Sequence, residues 1–274
     1  MRIWLALAVL CIGTAWAVPP SYSPATIVNA SNYTAGPFAP NSVVSIFGTG
    51  LARSTHALAS DDIIGGLLPT EMNFVRVYVE NQPAPVLFVS EKQINFLIPS
   101  MQNKGTVRIR VVVENLSGPE ITVSVVDCAP ALFALSDTYA IATSADGKLL
   151  TADAPAHPGD FIVVYLTGLG KTSAKPLPGE IPRALDWILS LASLKVTLGP
   201  VVLDSTHNSE LIKYAGVAPG SGGLYQINLA IPDGVGTDPE IKVMGDTTSS
   251  GLRIPIRPVE KTTATFPPPG ALNL

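Results

Sequence analysis

The amino-acid sequence predicts an all-β chain folded as two tandem β-sandwiches, on three observations. Short runs rich in Val, Ile and Thr alternate with polar residues and are punctuated by Gly and Pro. Helical periodicity is nearly absent. Two phrases recur in the same order in each half of the 274 residues: "APNSVVSIFGTGLA" from Ala39 returns as "HPGDFIVVYLTGLG" from His157, and "QINFLIP" from Gln93 returns as "QINLAIP" from Gln226. Repetition of this kind marks duplicated units, each too small to account for the whole chain.

Residues 1–17 read as an export leader. Met1 and Arg2 give a positive start, Ile3 to Ile12 is apolar, and Ala15-Trp16-Ala17 fits the small-x-small cleavage rule, so cleavage is expected after Ala17. The apolar run is shorter than the roughly 20 residues a membrane span needs. Lipid attachment at Cys11 is disfavoured because Leu10 stands where a small residue is expected. The remaining 257 residues are about right for two domains, here placed at 18–127 and 128–260. Residues 261–274, Pro-rich and without periodicity, read as a disordered tail.

Along the first unit, "VRVYVE" puts Val75, Val77 and Val79 inward, and "TVRIRVVVE" does the same with Val107, Ile109, Val111 and Val113, leaving Arg108, Arg110 and Glu114 in water. "ITVSVV" continues the pattern from Ile121, and "VVDCAPALFA" connects the units. In the second unit "ATSADGKLLT" reads as a hairpin with Asp146-Gly147 in its turn. "LKVTLG" and "EIKVMG" supply further strands. The first repeated phrase is offset by 118 residues and the second by 133, so the second copy carries fifteen extra residues between its landmarks, placed in 171–194. Within that stretch "RALDWILSLASL" at 183–194 fits either a short helix or a buried loop. About seven strands in about 110 residues fits an immunoglobulin-like sandwich.

In the Gln-Ile-Asn phrases the outward positions hold Gln93 and Asn95, and Gln226 and Asn228. Their amides suit either loop backbone groups or a ligand. Pro99 and Pro232 end the strands by removing a ladder donor.

The phrases "VNASNYTAGPFAPNSVVSIFGTGLA", "PAPVLFVSEKQINFLIP", "HPGDFIVVYLTGLG" and "GLYQINLAIP" resemble the Solibacter-type uncharacterised C-terminal domain, a module abundant in secreted acidobacterial proteins. The resemblance runs from about Ile27 to Ile256. It implies paired immunoglobulin-like units similar to IPT/TIG domains in an extracellular setting, and it implies no reaction. Asn41 stands where that family usually shows Gly, and Glu91-Lys92 where Pro-Gly is common.

Charged residues make up only 14% of the chain, with 17 basic against 21 acidic. No basic stripe exists to hold phosphates, which argues against a nucleic-acid partner. "GLGKTS" lacks the first Gly of a phosphate loop, since Tyr165 sits there, and "FGTGLAR" puts Arg53 at the third Gly of a dinucleotide fingerprint. No Gly-x-Ser-x-Gly elbow occurs, and His56, His157 and His207 fall in separate loops. No zinc spacing is present. Asp61-Asp62, or Asp146, Asp153 and Asp160, are possible oxygen ligands for calcium, read here as turn residues. The sequons at Asn29, Asn32 and Asn115 are coincidental in a bacterial exporter. With Cys11 removed, Cys128 is the single cysteine and is expected to be buried and inert. Trp187 is either an exposed contact aromatic or packed between the units.

The sequence therefore points to a secreted or cell-surface, non-catalytic interaction or spacer module with no cofactor, no metal, no catalytic residue and no membrane span after leader removal. Its partner is expected to be a protein or polysaccharide at the cell exterior. The alternatives are a carbohydrate-binding module stacking sugars on Trp187 or Tyr225, and a small hydrolase working through loop residues such as His157. Export is checked by mass spectrometry of the chain secreted from a bacterial host: the mature protein is expected to begin at Val18, and retention of Met1 would contradict the leader.

Overall fold

The computed structural model describes residues 18–258, so the expected leader at 1–17 and the expected tail at 261–274 lie outside the described residues. The first half contributes strands β1 (Ile27–Asn29), β2 (Val43–Phe47), β3 (His56–Ala57), β4 (Val75–Val79), β5 (Gln82–Pro83), β6 (Val86–Val89), β7 (Gln93–Leu97), β8 (Gly105–Val113), β9 (Leu116–Ser117) and β10 (Ile121–Val125). They form two sheets, ordered β1-β2-β7-β6-β3 and β10-β8-β4-β5, with β9 paired to β8. The second half contributes β11 (Ala131–Leu132), β12 (Ala142–Ser144), β13 (Phe161–Thr167), β14 (Lys195–Leu198), β15 (Val201–Leu203), β16 (Ile212–Val217), β17 (Tyr225–Ala230), β18 (Glu240–Met244) and β19 (Leu252–Arg253). Their sheets run β11-β13-β17-β16, with β12 paired to β13, and β15-β14-β18-β19. Every strand pairing is antiparallel.

The duplication extends to individual residue pairs. Ile46 faces Ile94 and Phe47 faces Gln93 between β2 and β7, and their counterparts Val164–Ile227 and Tyr165–Gln226 face each other between β13 and β17. The two Gln-Ile-Asn strands therefore occupy the same central place, and the protein is a tandem of immunoglobulin-like sandwiches. Alternation explains the burial. Val75, Val77, Val79, Ile109 and Val111 are fully buried, as are Ile162, Val164, Ile227, Leu229, Ile241 and Val243. The first core runs from Tyr22 to Val125 and the second from Cys128 to Ile256.

The stretch 183–194 is not an α-helix. Residues 186–189 pair with Lys171 and Ser173 on one side and with 215–217 on the other, and only Leu191–Ser193 makes a single 3-10 turn. Between neighbouring strands these backbone groups gain partners that a lone short helix would leave open. The Asp146-Gly147 turn is as expected, with Gly147 at φ 81° and Ser144 N–H donating to Lys148 O.

The two sandwiches are joined closely. Val43 N–H donates to Thr167 Oγ1 (3.1 Å), whose hydroxyl donates to Gly223 O (2.9 Å). The segment 171–194 reaches back to the first sandwich: Leu68 N–H donates to Gly179 O, Ile181 N–H to Gly66 O, and Ser100 Oγ to Pro176 O. It is not the stretch that lengthens the second copy: 27 residues separate β2 from β4 and 27 separate β13 from β14, so the additional residues lie between β14 and β17. Asp246 Oδ2 accepts the N–H groups of Asp127 and Cys128 in the connector. Gly168 and Gly170 adopt φ 83° and 87°, and a Cβ on either would strike the connector carbonyls of Ala129 or Asp127. The "GLGKTS" phrase is thus a backbone crossing.

Ile227→Ala is expected to lower stability by about 2–5 kcal/mol through a core cavity, whereas Thr197→Ala on the outer face of β14 should cost less than about 1 kcal/mol. Urea unfolding followed by tryptophan fluorescence measures both.

Candidate binding surface

The segment 171–194 lengthens the second sandwich's larger sheet beyond β16. Ser173 N–H donates to Trp187 O and Leu189 N–H to Lys171 O, while Ile188 N–H donates to Ala215 O. Ile188 turns into the core at 3% exposure, so by alternation its neighbours turn outward: Leu185, Trp187 and Leu189 are 55%, 40% and 59% exposed. Trp187 lies opposite Gly216 and meets the Tyr214 ring edge-on, with centroids 5.1 Å apart at 71°. Tyr214 is held beneath it: its hydroxyl accepts from Asp186 N–H (2.8 Å) and donates to Val217 O (2.8 Å). Gly216 is required there, because a Cβ would collide with the Tyr214 hydroxyl and Asp186 O.

The same outer face continues across the sheet through Gln226, opposite both Gly216 and Tyr165, and Asn228, opposite both Tyr214 and Val163. Gln226 Nε2 donates to Asn228 Oδ1 (2.9 Å). In the first sandwich Gln93 Nε2 donates to Asn95 Oδ1 (2.8 Å), which also accepts from Ser45 Oγ (2.8 Å). The outward amides thus bond to one another and not to loop backbone groups, which corrects that expectation. Each amide pair has an aromatic residue in register on both flanking strands, Phe47 and Phe88 in the first copy, Tyr165 and Tyr214 in the second.

Around Leu189 lie three recesses. A groove of about 500 Å³ is lined by Trp187, Leu191, Ile212, Asp204, Ser205 and Ser209. A second, of about 240 Å³, is bordered by Ser100, Lys171, Thr172 and Lys175. A third, of about 270 Å³, is bordered by Asp127, Cys128, Lys171 and Asp246.

Two expectations for aromatic residues are overturned. Tyr225 is fully buried in phase with Ile227 and Leu229, with its hydroxyl donating to Gly170 O, and is no stacking platform. Burial pushes its phenol well above the usual range, against the effect of the Asn41 amide beside it. Asn41 sits at φ 62°, the left-handed conformation for which Gly is suited and Asn tolerated. Trp187 packs on Tyr214 of its own sandwich and not between the two. Sequence reasoning missed Tyr165, Tyr214 and Gly216 as surface builders. The alternation in "FIVVYLT" was available for Tyr165, but nothing local signals that Gly216 would lie beside Trp187.

Each histidine is tied to a nearby carboxylate: His56, which lies on β3 and not in a loop, to Asp62 (2.9 Å), His157 to Asp160 (3.6 Å) and His207 to Asp204 (3.0 Å). Thr206 and His207 both bond the same Asp204 oxygen, a turn arrangement in which those bonds hold the carboxyl below its ordinary range. Asp62 accepts Ala59 N–H and Asp146 pairs with Lys148, so these act as turn residues. Asp160 likewise accepts His157 N–H in its own turn. Among the described residues no three His, Cys, Asp or Glu side chains are grouped to hold a metal, and no helix is long and apolar enough to cross a membrane.

Residues 25–125 match the IPT/TIG domain. The match spans β1 to β10, so the first sandwich is IPT/TIG-like, and the second repeats its central strand pairing outside the matched residues. Among solved structures, similarity is found to the Bacteroides ovatus mixed-linkage glucan utilization locus protein SGBP-B in complex with a mixed-linkage heptasaccharide, at 10% identity and TM-score 0.32, covering 87% of this chain and 45% of that one. A titin immunoglobulin tandem is 7% identical with TM-score 0.23, covering 79% and 88% of the two chains. Domains 5–6 of the S-layer protein SbsC are 11% identical with TM-score 0.24, covering 88% and 99%. This chain spans less than half of SGBP-B. A search of curated proteins finds no match.

Cys128 is 2% exposed, and burial pushes its thiol up to about 11, against a hydrogen bond with Ser190. The fold favours the neutral thiol, so its stabilising contribution is complete below the ordinary cysteine value and is lost as pH rises towards 11. Labelling by a thiol reagent at about pH 8 is expected to be negligible in the native protein and complete in denaturant. Rapid native labelling would contradict this.

Proposed function

We propose that the chain is an exported, non-catalytic interaction module whose two sandwiches act as one stiff body presenting a contact surface on the second. The observation that carries this reading is the segment 171–194. It is hydrogen-bonded to both sandwiches, yet it holds Leu185, Trp187 and Leu189 out in water. Contiguous exposed apolar groups on a soluble surface are a mark of contact sites; the equivalent edge strand of the first copy, β3, carries His56 and Ala57 instead. The pairing of each histidine with a turn carboxylate supports a non-catalytic reading. The leader at 1–17 and the resemblance to a secreted module support export.

A spacer role is favoured by the junction itself. The connector leaves only residues 126–130 between β10 and β11, and Thr167, Gly179 and Pro176 bond across it. The partner is an exterior protein or polysaccharide. Retention of the purified protein on bacterial cell envelopes and insoluble polysaccharides tests the contact surface. The double substitution Trp187→Ala with Leu189→Ser is expected to weaken retention by about tenfold or more while shifting Tm by less than about 3 °C. Retention of both proteins to the same extent would refute a contact role for this surface.

A further inference from the structure

We propose that the outer face of the second sandwich's larger sheet binds an extended, uncharged polysaccharide, with Gln226 and Asn228 bonding its hydroxyls and Trp187 and Tyr165 stacking on its sugar rings. This deepens the interaction-module reading and rests on it. The inference starts from free hydrogen-bonding capacity. Gln226 Nε2 is spent on Asn228 Oδ1, and among the described residues Gln226 Oε1 and Asn228 Nδ2 have no protein partner, so one acceptor and one pair of donors are offered to the outside. Successive outward positions on a strand are about 6.6 Å apart. A chain of hydroxyls, each both donor and acceptor, satisfies such a pair; an aliphatic surface satisfies neither member.

The flanks supply the rest of the recognition chemistry. Across the sheet the row reads Trp187, Gly216, Gln226, Tyr165, and the adjacent row reads Tyr214, Asn228, Val163. Gly216 contributes no side chain, and the Tyr214 hydroxyl and Asp186 O fill the space over it, so the phenol lies between the indole and the amides. None of these residues carries a charge at neutral pH. Ionic groups at the rim are engaged: Lys213 lies 5.8 Å over the Phe161 ring, Asp186 accepts from Ser173 Oγ and Ala174 N–H, and Asp204, which borders the groove beside Trp187, accepts from Thr206 and His207 in its own turn. A charge-free surface of aromatic rings and amides complements a neutral sugar chain, where an acidic polymer or a nucleic acid would require cations.

The internal repeat adds an independent observation. Between the two Gln-Ile-Asn strands, inward Phe96 has become Leu229, and Leu97 has become Ala230, yet both outward amides persist with aromatic neighbours in register. In the first copy Ser45 already occupies the Asn95 carbonyl and is itself 1% exposed, so the second copy holds the more open version.

The experiment is affinity electrophoresis of the full mature chain through gels containing hydroxyethyl cellulose, glucomannan or, as a charged counterpart, polygalacturonate. At least one neutral polymer is expected to retard the protein, unaffected by about 0.5 M NaCl. Asn228→Asp, which keeps the shape but replaces the amide donor with a charge, and Trp187→Ala are each expected to weaken that retardation by about tenfold or more. Thermal unfolding checks that both variants stay folded. Failure of both neutral polymers to retard the protein, equal retardation of Asn228→Asp, or salt-sensitive retardation by polygalacturonate alone would overturn the assignment. If envelope retention still depends on Trp187 and Leu189 while neutral polymers fail, the interaction module stands and the saccharide assignment falls. If neither binds, both fall.

Discussion

The pairing of β2 with β7, and of β13 with β17, holds the rest of the protein in place. A strand that buries one face tolerates no slip of one residue, because every inward side chain would turn to water. In both pairs the inward positions are filled by fully buried branched or aromatic side chains, Val44 against Phe96 and Ile46 against Ile94, then Ile162 against Leu229 and Val164 against Ile227. Register fixed on the inside fixes it on the outside as well. The amide pairs and their aromatic neighbours are aligned across strands as a consequence of core packing.

Duplication supplied two similar units, and the junction between them used what was already present. Thr49 and Thr167 are repeat equivalents. Thr49 is exposed at its own strand end, while Thr167 is fully buried and bridges Val43 of the first sandwich to Gly223 of the second. Glycines make the approach possible: a Cβ at Gly223 would strike Leu97 and come within 2.8 Å of Val43. Leu97, outward by alternation, is 2% exposed for this reason.

The strands, the duplication and the burial of Cys128 were legible in the sequence because they depend on local alternation and on repetition. The fate of 183–194 was not. Its run of apolar residues has no clear period, and its path is set by partners at Ala215 and Val217 that are distant in sequence. Tyr225 is an instructive error. It lies in phase with Ile227 and Leu229, so alternation alone places it inside. Trp187 was visible as a candidate, but its support, Tyr214 under the ring and Gly216 beside it, arises only when β16 is laid against residues 186–189.

The backbone bonds by which the segment 171–194 reaches back to the first sandwich have a thermodynamic consequence. Two units on a loose tether must surrender their relative motion whenever a partner holds them, and that lost freedom subtracts from affinity. Here the backbone bonds from Gly179 and Ile181 to Leu68 and Gly66 remove the motion when the chain folds. The orientation of the Trp187 face relative to the first sandwich is settled before any partner arrives.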